Sequence, residues 1–155
     1  MHERNDELAA VIAETGWSQP KVAPTVVRLA PEYLIETLQG VEEFSHLRVT
    51  WCFSMGSADD VPLHAWSTRD NPSWPATGTF VHHNHRRPTR TATSFPRLLR
   101  IEGHDLRVPD LDADDGKAVI DLVAVFQEIL PRGPLTQPSW LSEILTNYWR
   151  DAKER

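Results

Sequence analysis

The chain has 155 residues, of which 40% are apolar and 25% are charged. This balance is typical of one folded domain with a single core, and it excludes an intrinsically disordered chain. The net charge of −6 argues against broad, sequence-independent nucleic-acid binding. The single cysteine excludes an internal disulfide framework. No apolar run approaches the ~18 residues of a membrane-spanning helix, and a polar N terminus without a signal-peptide core favours a cytoplasmic protein.

The N-terminal segment, residues 1–21, is predicted to hold a short helix and a linker. Leu8, Val11 and Ile12 recur at helical spacing within residues 4–15. Gly16 would end this helix.

Residues 22–133 are predicted to form a mainly β domain. Residues 47–53 give the best strand because β-branched and aromatic side chains dominate there. Residues 119–126 are apolar on both faces, which predicts a central strand. Other runs bounded by turn residues predict four further strands, at 22–30, 79–82, 98–101 and 106–108.

Two stretches between the strands are predicted loops. Residues 56–77 contain three prolines and two tryptophans, Trp66 and Trp74, which would either pin the loop or mark an interface. Residues 83–92 are polar and basic. Five arginines fall within fifteen residues and could form a local basic patch on an acidic body or a solvated loop and strand face: Arg86, Arg87, Arg90, Arg97 and Arg100.

The C-terminal segment, residues 134–155, is predicted to be a proline-containing linker and one helix. Ser139 would cap a helix over 140–152 that carries an apolar stripe. Short strands with turn signals, flanked by N- and C-terminal helices, favour a small β-barrel.

Two features leave alternatives open at this point. His82, His83 and His85 could bind a metal or belong to a polar loop; the metalloenzyme hypothesis ranks last, and no metal site is predicted. Asp121 is a lone charge in an apolar strand, so it should be paired, with Arg86 or Arg87, or be functional. A Rossmann fingerprint and a Walker loop are both missing from the sequence.

Several segments together resemble the TsaA-like (TrmO-like) family of tRNA threonylcarbamoyladenosine N6-methyltransferases, of which the chain looks like a divergent member. The matching positions are Leu38, Gly40, Val41, Glu42 and Phe44-Ser45-His46-Leu47, then Gly78 and Phe80, then Arg87-Pro88 and Ser94, and finally Asp115-Gly116 and Asp121. Their order and spacing are kept across residues 25–130.

The resemblance implies a β-barrel that forms a homodimer, binds S-adenosyl-L-methionine and methylates adenosine in tRNA. It also implies which residues touch the cofactor: Ser54, Met55, His83, Asn84, Phe95, Asp115, Gly116, Lys117 and Ala118. Arg87 and Asp121 are the candidate catalytic residues.

Two functional hypotheses follow from the resemblance. The leading one is an S-adenosylmethionine-dependent methyltransferase whose acceptor is tRNA adenosine or a small molecule. The alternative is a non-catalytic module that binds S-adenosylmethionine or a metabolite on the same fold. The alternative is favoured by departures from the family pattern, such as Thr89-Arg90-Thr91-Ala92 in place of Asn-Pro-Ile-Gly.

Overall fold

The computed structural model describes residues 8–12 and 24–149, and this part of the chain is mainly β. Its strands are β1 (Ala9–Ile12), β2 (Thr25–Leu29), β3 (Leu47–Cys52), β4 (Trp66–Ser67), β5 (Ala76–Thr77), β6 (Thr91–Ser94), β7 (Arg100–Glu102), β8 (Asp105–Val108) and β9 (Ala118–Ala124). One α-helix, α1, spans Ser139–Ile144. Short 3-10 helices occupy Ile35–Leu38, Val41–Glu43, Ala58–Asp60, Thr68–Asp70, Thr79–Val81 and Gln127–Ile129.

Seven of these strands form one antiparallel sheet in the order β6-β3-β9-β1-β2-β8-β7. The segment after β6 joins the two ends of this order. Leu98 N–H donates to the carbonyl of Ser45, just before β3, at 2.8 Å, and Leu99 N–H donates to the carbonyl of Arg107 in β8 at 2.9 Å. The sheet therefore curls on itself, as a barrel-like fold requires. The remaining two strands, β4 and β5, form a separate small hairpin.

The N-terminal helix prediction is wrong for residues 9–12, which form strand β1. Ala9 pairs with Leu29 of β2 on one side and with Val119 of β9 on the other. Ala9 and Val11 are buried and alternate with half-buried residues, which is the period of two that a strand shows. Four residues are too few to separate this period from a helical one. The rest of the predicted helix lies outside the described residues.

Most of the other predicted strands are confirmed, and β9 is central, between β3 and β1. The strand predicted at 98–101 is displaced toward the turn and runs from Arg100 to Glu102. The strand predicted at 79–82 is wrong, because Thr79–Val81 forms a 3-10 helix. The first two residues of β6, Thr91 and Ala92, fall in the polar and basic stretch 83–92 that is predicted to be a loop.

The C-terminal helix is present but shorter than predicted in the described part of the chain. It ends at Ile144, and turns follow to residue 149. Its N-cap residue is Pro138, not Ser139, and no side chain caps it. Tyr148 connects the C-terminal segment to the loop before β9, because its hydroxyl donates to the carboxylate of Asp112. Burial and this hydrogen bond raise the pKa of Tyr148 above its usual value.

The core lies on one face of the sheet, as the alternating burial along its strands shows. Its fully buried side chains are Leu47, Val49, Val11, Val27, Leu106, Val108 and Val119. Trp51 joins them, and its indole N–H donates to Ser94 Oγ at 3.2 Å across the β3–β6 pair. This hydrogen bond lets the tryptophan bury its ring without leaving a polar atom unpaired.

Replacing Leu106 with alanine should lower the free energy of unfolding by about 2–5 kcal/mol. The residue is 0% exposed, so truncation leaves a cavity that the sheet cannot close. Leu135→Ala is the matched control, since Leu135 is 81% exposed, and it should change stability by less than about 0.5 kcal/mol. Urea unfolding followed by tryptophan fluorescence measures both. Equal losses in the two variants would contradict this placement of the core.

Candidate functional site

Three loops leave the sheet at the same end. In the β3–β6 pair Cys52, the last residue of β3, lies opposite Thr91, the first residue of β6. In the β3–β9 pair Trp51 lies opposite Val119, next to the start of β9. The segment after β3 and the segments before β6 and β9 are therefore neighbours. Residues 53–56, 83–90 and 115–118 are called the loop cluster below.

Direct hydrogen bonds connect the members of the loop cluster. Lys117 Nζ donates to Ser54 Oγ at 2.6 Å, which joins the segment before β9 to the segment after β3. The guanidinium of Arg90 donates to the carbonyl of Gly56 at 2.8 Å. Phe53 N–H donates to the carbonyl of Arg90 at 2.9 Å. The cluster is thus a connected surface built from three separate parts of the sequence.

Gly56 is the point where two loops cross. Its φ of +86° lies in the left-handed region, which glycine adopts without strain. A Cβ at this position would lie 3.0 Å from Cδ2 of His85. Sequence reasoning did not single out Gly56, although a lone glycine directly after Met55 was the available signal.

Arg86, Arg87 and Arg90 differ in their partners from the ion-paired arginines. Two members of the predicted basic patch, Arg97 and Arg100, belong to the paired group. In the described part of the chain, five arginines form ion pairs with carboxylates: Arg28 with Asp105, Arg48 with Asp121, Arg97 with Asp110, and Arg100 and Arg107 with Glu102. The pairing lowers the pKa values of Asp105 and Glu102 through hydrogen bonds from Arg28 and Arg107. Among the same residues, the three arginines of the loop cluster have no carboxylate partner.

The guanidinium of Arg87 binds a backbone carbonyl and also contains a donor that has no acceptor within the described residues. Its guanidinium donates to the carbonyl of Thr91. Its Nε is buried and has no hydrogen-bond partner within the described residues. An unpaired buried donor is costly, so a ligand oxygen at this point would restore a hydrogen bond that folding alone leaves unmade.

His82 joins distant parts of the long 56–82 loop, and Arg86 connects this loop to the cluster. The residue is buried, its ring stacks on Trp66 with 3.8 Å between centroids, and its Nε2 hydrogen-bonds with Thr77 Oγ1 at 3.0 Å. The guanidinium carbon of Arg86 lies over the same indole, 5.2 Å from its centroid. Trp66 is half-buried and pins the loop, one of the two outcomes that the sequence left open.

The three neighbouring histidines occupy different environments. His82 is committed to the Trp66 stack, His85 faces the ring of Phe53 at 6.2 Å, and His83 is exposed. Within residues 8–12 and 24–149, no three His, Cys, Asp or Glu side chains are grouped so that they could hold a metal ion.

Most of the predicted cofactor residues lie in the loop cluster. Ser54 and Lys117 are in direct contact. The Asn84 side chain accepts a hydrogen bond from Arg86 N–H at 3.0 Å, which shapes the start of its loop. The other predicted cofactor residues of the cluster are Met55, His83, Asp115, Gly116 and Ala118.

Phe95 lies away from the cluster. It follows Ser94, which pairs with Val49 near the other end of β3. Strand geometry places it roughly 13 Å along β6 from Thr91. There it lines a separate cavity of about 430 Å³ with Tyr148 and Trp149.

Asp121 pairs with Arg48, not with Arg86 or Arg87 as predicted. Its carboxylate accepts a hydrogen bond from the guanidinium of Arg48 at 3.0 Å. The register of β3 and β9 places Asp121 opposite Thr50, so Arg48 is the diagonal neighbour on the same face. This face is open to solvent, and 49% of the Asp121 side chain is exposed. Ion pairs that are this exposed contribute about 0–1 kcal/mol to stability. Asp121 is therefore not a buried charge that requires a partner.

The fold is that of the TrmO crystal structures. The fold superposes on two crystal structures of TrmO from Pseudomonas aeruginosa with TM-scores of 0.65 and 0.63, at 18% and 19% identity over 89% of this chain. A third TrmO crystal structure gives a TM-score of 0.63 at 15% identity, with coverage of 97% of this chain and 76% of that one.

The chain belongs to the tRNA-methyltransferase O N-terminal domain family, whose pattern matches residues 15–129. It spans 61% and 64% of the length of the two Pseudomonas TrmO chains. No curated protein sequence matches it significantly. Among the residues described, none of the helices has the length and apolar content needed to cross a membrane.

Removing the His82 side chain should loosen the 56–82 loop without unfolding the sheet. His82→Ala deletes the stack on Trp66 and the hydrogen bond to Thr77, so local opening should become easier by about 1–3 kcal/mol. Hydrogen exchange of the loop amides measures this change. His83→Ala is the matched control because His83 is exposed. Unchanged protection in His82→Ala would show that the stack does not anchor the loop.

Proposed function

We propose that the chain binds S-adenosyl-L-methionine at the loop cluster and transfers its methyl group to an acceptor. The observation that carries the proposal is the contact between Lys117 and Ser54 at 2.6 Å, which joins two segments that the family resemblance assigns to the cofactor. The third segment, residues 83–90, adjoins them through Arg90 and Gly56.

The residues of the cluster fit the chemistry of this cofactor. S-adenosylmethionine carries a carboxylate on its amino-acid tail and a cationic sulfonium. Lys117 and Arg90 supply cations that no carboxylate neutralises in the described part of the chain, and Arg87 Nε is a buried donor that lacks an acceptor. The ring of Phe53 beside His85 offers an aromatic surface, which attracts cations.

Each protein group then has a defined task. Ser54, Met55, Lys117 and Ala118 would hold the cofactor, which supplies a methyl group activated by its positive sulfur. Arg87, fastened to the carbonyl of Thr91, would orient an anionic group of the acceptor or the cofactor tail. The chain's main contribution is the in-line positioning of the acceptor and the methyl group.

Asp121 is proposed to act as a positioning residue. Its ion pair with Arg48 ties β9 to β3 on the solvent-facing side of the sheet. It would thereby keep the loops at the ends of these two strands in place. Phe95 would contact the cofactor only if the bound molecule reached along β6 to the 430 Å³ cavity that Phe95 lines.

The acceptor proposed first is an adenosine in tRNA, because the chain belongs to a tRNA-methyltransferase domain family. A small-molecule acceptor is the other possibility.

We also propose that the chain acts in the cytoplasm as a homodimer. The dimer is supported by exposed Leu34, Ile35 and Leu99, of which Ile35 and Leu99 line a groove of about 860 Å³. Sedimentation velocity would test it, and a purely monomeric species would contradict it.

The second candidate function is binding without catalysis. Two observations favour it: Asp121 is already paired with Arg48, and Phe95 lies outside the loop cluster. Methyl transfer from radiolabelled S-adenosylmethionine to bulk tRNA and to a metabolite extract separates the two functions. Binding without transfer to either would support the module.

Arg90→Ala and Lys117→Ala should each weaken S-adenosylmethionine binding about tenfold, because each removes one charge-assisted hydrogen-bond donor. Isothermal titration calorimetry measures the change. Arg132→Ala is the matched control, since Arg132 is exposed and lies outside the cluster; its affinity should equal that of the native chain. If the native chain gives no binding heat at millimolar cofactor, the proposal fails.

A further inference from the structure

We infer that a second site, apart from the loop cluster, binds a small organic cation that carries a methylated ammonium group. The site is the cavity of about 430 Å³ beside β6, called the aromatic cavity below. Its volume lies within the range of small-molecule sites, about 300–1,000 Å³. Three aromatic residues and two aspartates line it: Phe95, Tyr148, Trp149, Asp110 and Asp112. The inference goes beyond the proposed function, because it concerns a different site and a different ligand.

The walls of the aromatic cavity are rings that the fold leaves partly in solvent. Phe95 is 50% exposed and Trp149 is 52% exposed. The rings of Tyr148 and Trp149 lie 4.8 Å apart between centroids at an angle of 85°, so they form two perpendicular walls. Ring faces carry partial negative charge, and several rings around a methylated ammonium group are a recurrent way of binding that group.

The backbone on both sides of Phe95 is fixed. Ser94 is buried, and its Oγ accepts a hydrogen bond from the indole N–H of Trp51 at 3.2 Å. Pro96 is fully buried, and its carbonyl accepts a hydrogen bond from Leu47 N–H at 3.0 Å. The Phe95 ring is therefore presented by an ordered segment, which lowers the entropy lost when a ligand packs on it.

The opposite wall is held by the C-terminal segment. Tyr148 N–H donates to the carbonyl of Leu145 at 2.9 Å, which closes a turn. The Tyr148 hydroxyl donates to the carboxylate of Asp112. This hydroxyl is a neutral donor, so it fixes the position of the carboxylate without adding positive charge to the cavity.

The two aspartates decide the sign of the ligand. Among the described residues that line the cavity, none is a lysine or an arginine. Arg97 pairs with Asp110 at 3.2 Å from outside the lining, and its side chain is 58% exposed. One solvated arginine beside two carboxylates leaves an excess of negative charge, which disfavours phosphates and carboxylates and favours a cation.

The hydrogen bonds of the aspartates favour a methylated ammonium over a primary one. A primary ammonium presents three donors, and each needs an acceptor when it leaves water. The carboxylates of Asp110 and Asp112 already accept hydrogen bonds from Arg97 and Tyr148. Methyl groups on the nitrogen need no acceptor and pack on the rings.

The test compares choline with dimethylbutanol, a neutral analogue in which carbon replaces the quaternary nitrogen. Titration of the whole chain is followed by NMR. Choline methyl protons should show nuclear Overhauser contacts to the rings of Phe95 and Trp149, and the neutral analogue should bind about tenfold more weakly. Equal affinities would overturn the inference, and so would a native chain that does not bind choline at millimolar concentration.

Two substitutions test the lining. Trp149→Ala removes a ring, and Asp112→Asn removes a charge while keeping an oxygen that accepts from Tyr148; each should weaken choline binding about tenfold. Trp149→Phe should restore part of the affinity because it keeps a ring. Asp114→Asn is the matched control, since Asp114 is exposed on the same loop and does not line the cavity. Native affinity in both Trp149→Ala and Asp112→Asn would overturn the site.

Competition with S-adenosylmethionine separates this site from the proposed cofactor site. Saturating choline should leave the affinity for S-adenosylmethionine unchanged, because the loop cluster lies roughly 13 Å away along β6. If S-adenosylmethionine displaces choline, its sulfonium occupies the cavity, and both the ammonium site and the placement of the cofactor in the loop cluster fail. Choline binding by a chain that binds no S-adenosylmethionine supports the aromatic cavity and ends the cofactor proposal.

Discussion

The pairing of β3 with both β6 and β9 is the constraint on which the rest of the structure depends. Trp51 lies opposite Ala92 on one side and Val119 on the other, so the ends of three strands are level. A slip of one residue would turn Trp51 out of the core and move the loops apart, because side chains alternate between the faces. The fold holds this register through burial of Leu47, Val49 and Trp51 on one face of β3.

The sequence predicts a strand correctly where the run is long and rich in β-branched residues. β3 and β9 are long and rich in β-branched residues, so both are found from pattern alone. β1 and β6 have four residues each, and a short run cannot display its period clearly. Their strand conformation comes from neighbours in the sheet: β1 fills the place between β9 and β2, and β6 pairs with β3.

The candidate site also contains some contacts that the sequence predicts and others that only the folded chain shows. Ser54 and Lys117 follow from the family resemblance, and their direct contact brings the two segments together. The partner of Asp121 was mispredicted because it depends on strand register and on which face is open, and neither can be read from one strand. The anchoring of the 56–82 loop through His82 and Trp66 is also a tertiary effect, since the two rings meet across sixteen positions of the chain.

The loop cluster lies at the end of the sheet where the segments after β3 and before β6 and β9 meet, and it presents the cations of Lys117 and Arg90. An amide NMR titration of the whole chain with S-adenosylmethionine tests directly whether the loop cluster binds the cofactor. If the cofactor binds at the loop cluster, amides in residues 53–56, 83–90 and 115–118 should shift together at one dissociation constant. Shifts confined to the cavity around Phe95 and Tyr148, or no shifts at all, would contradict it.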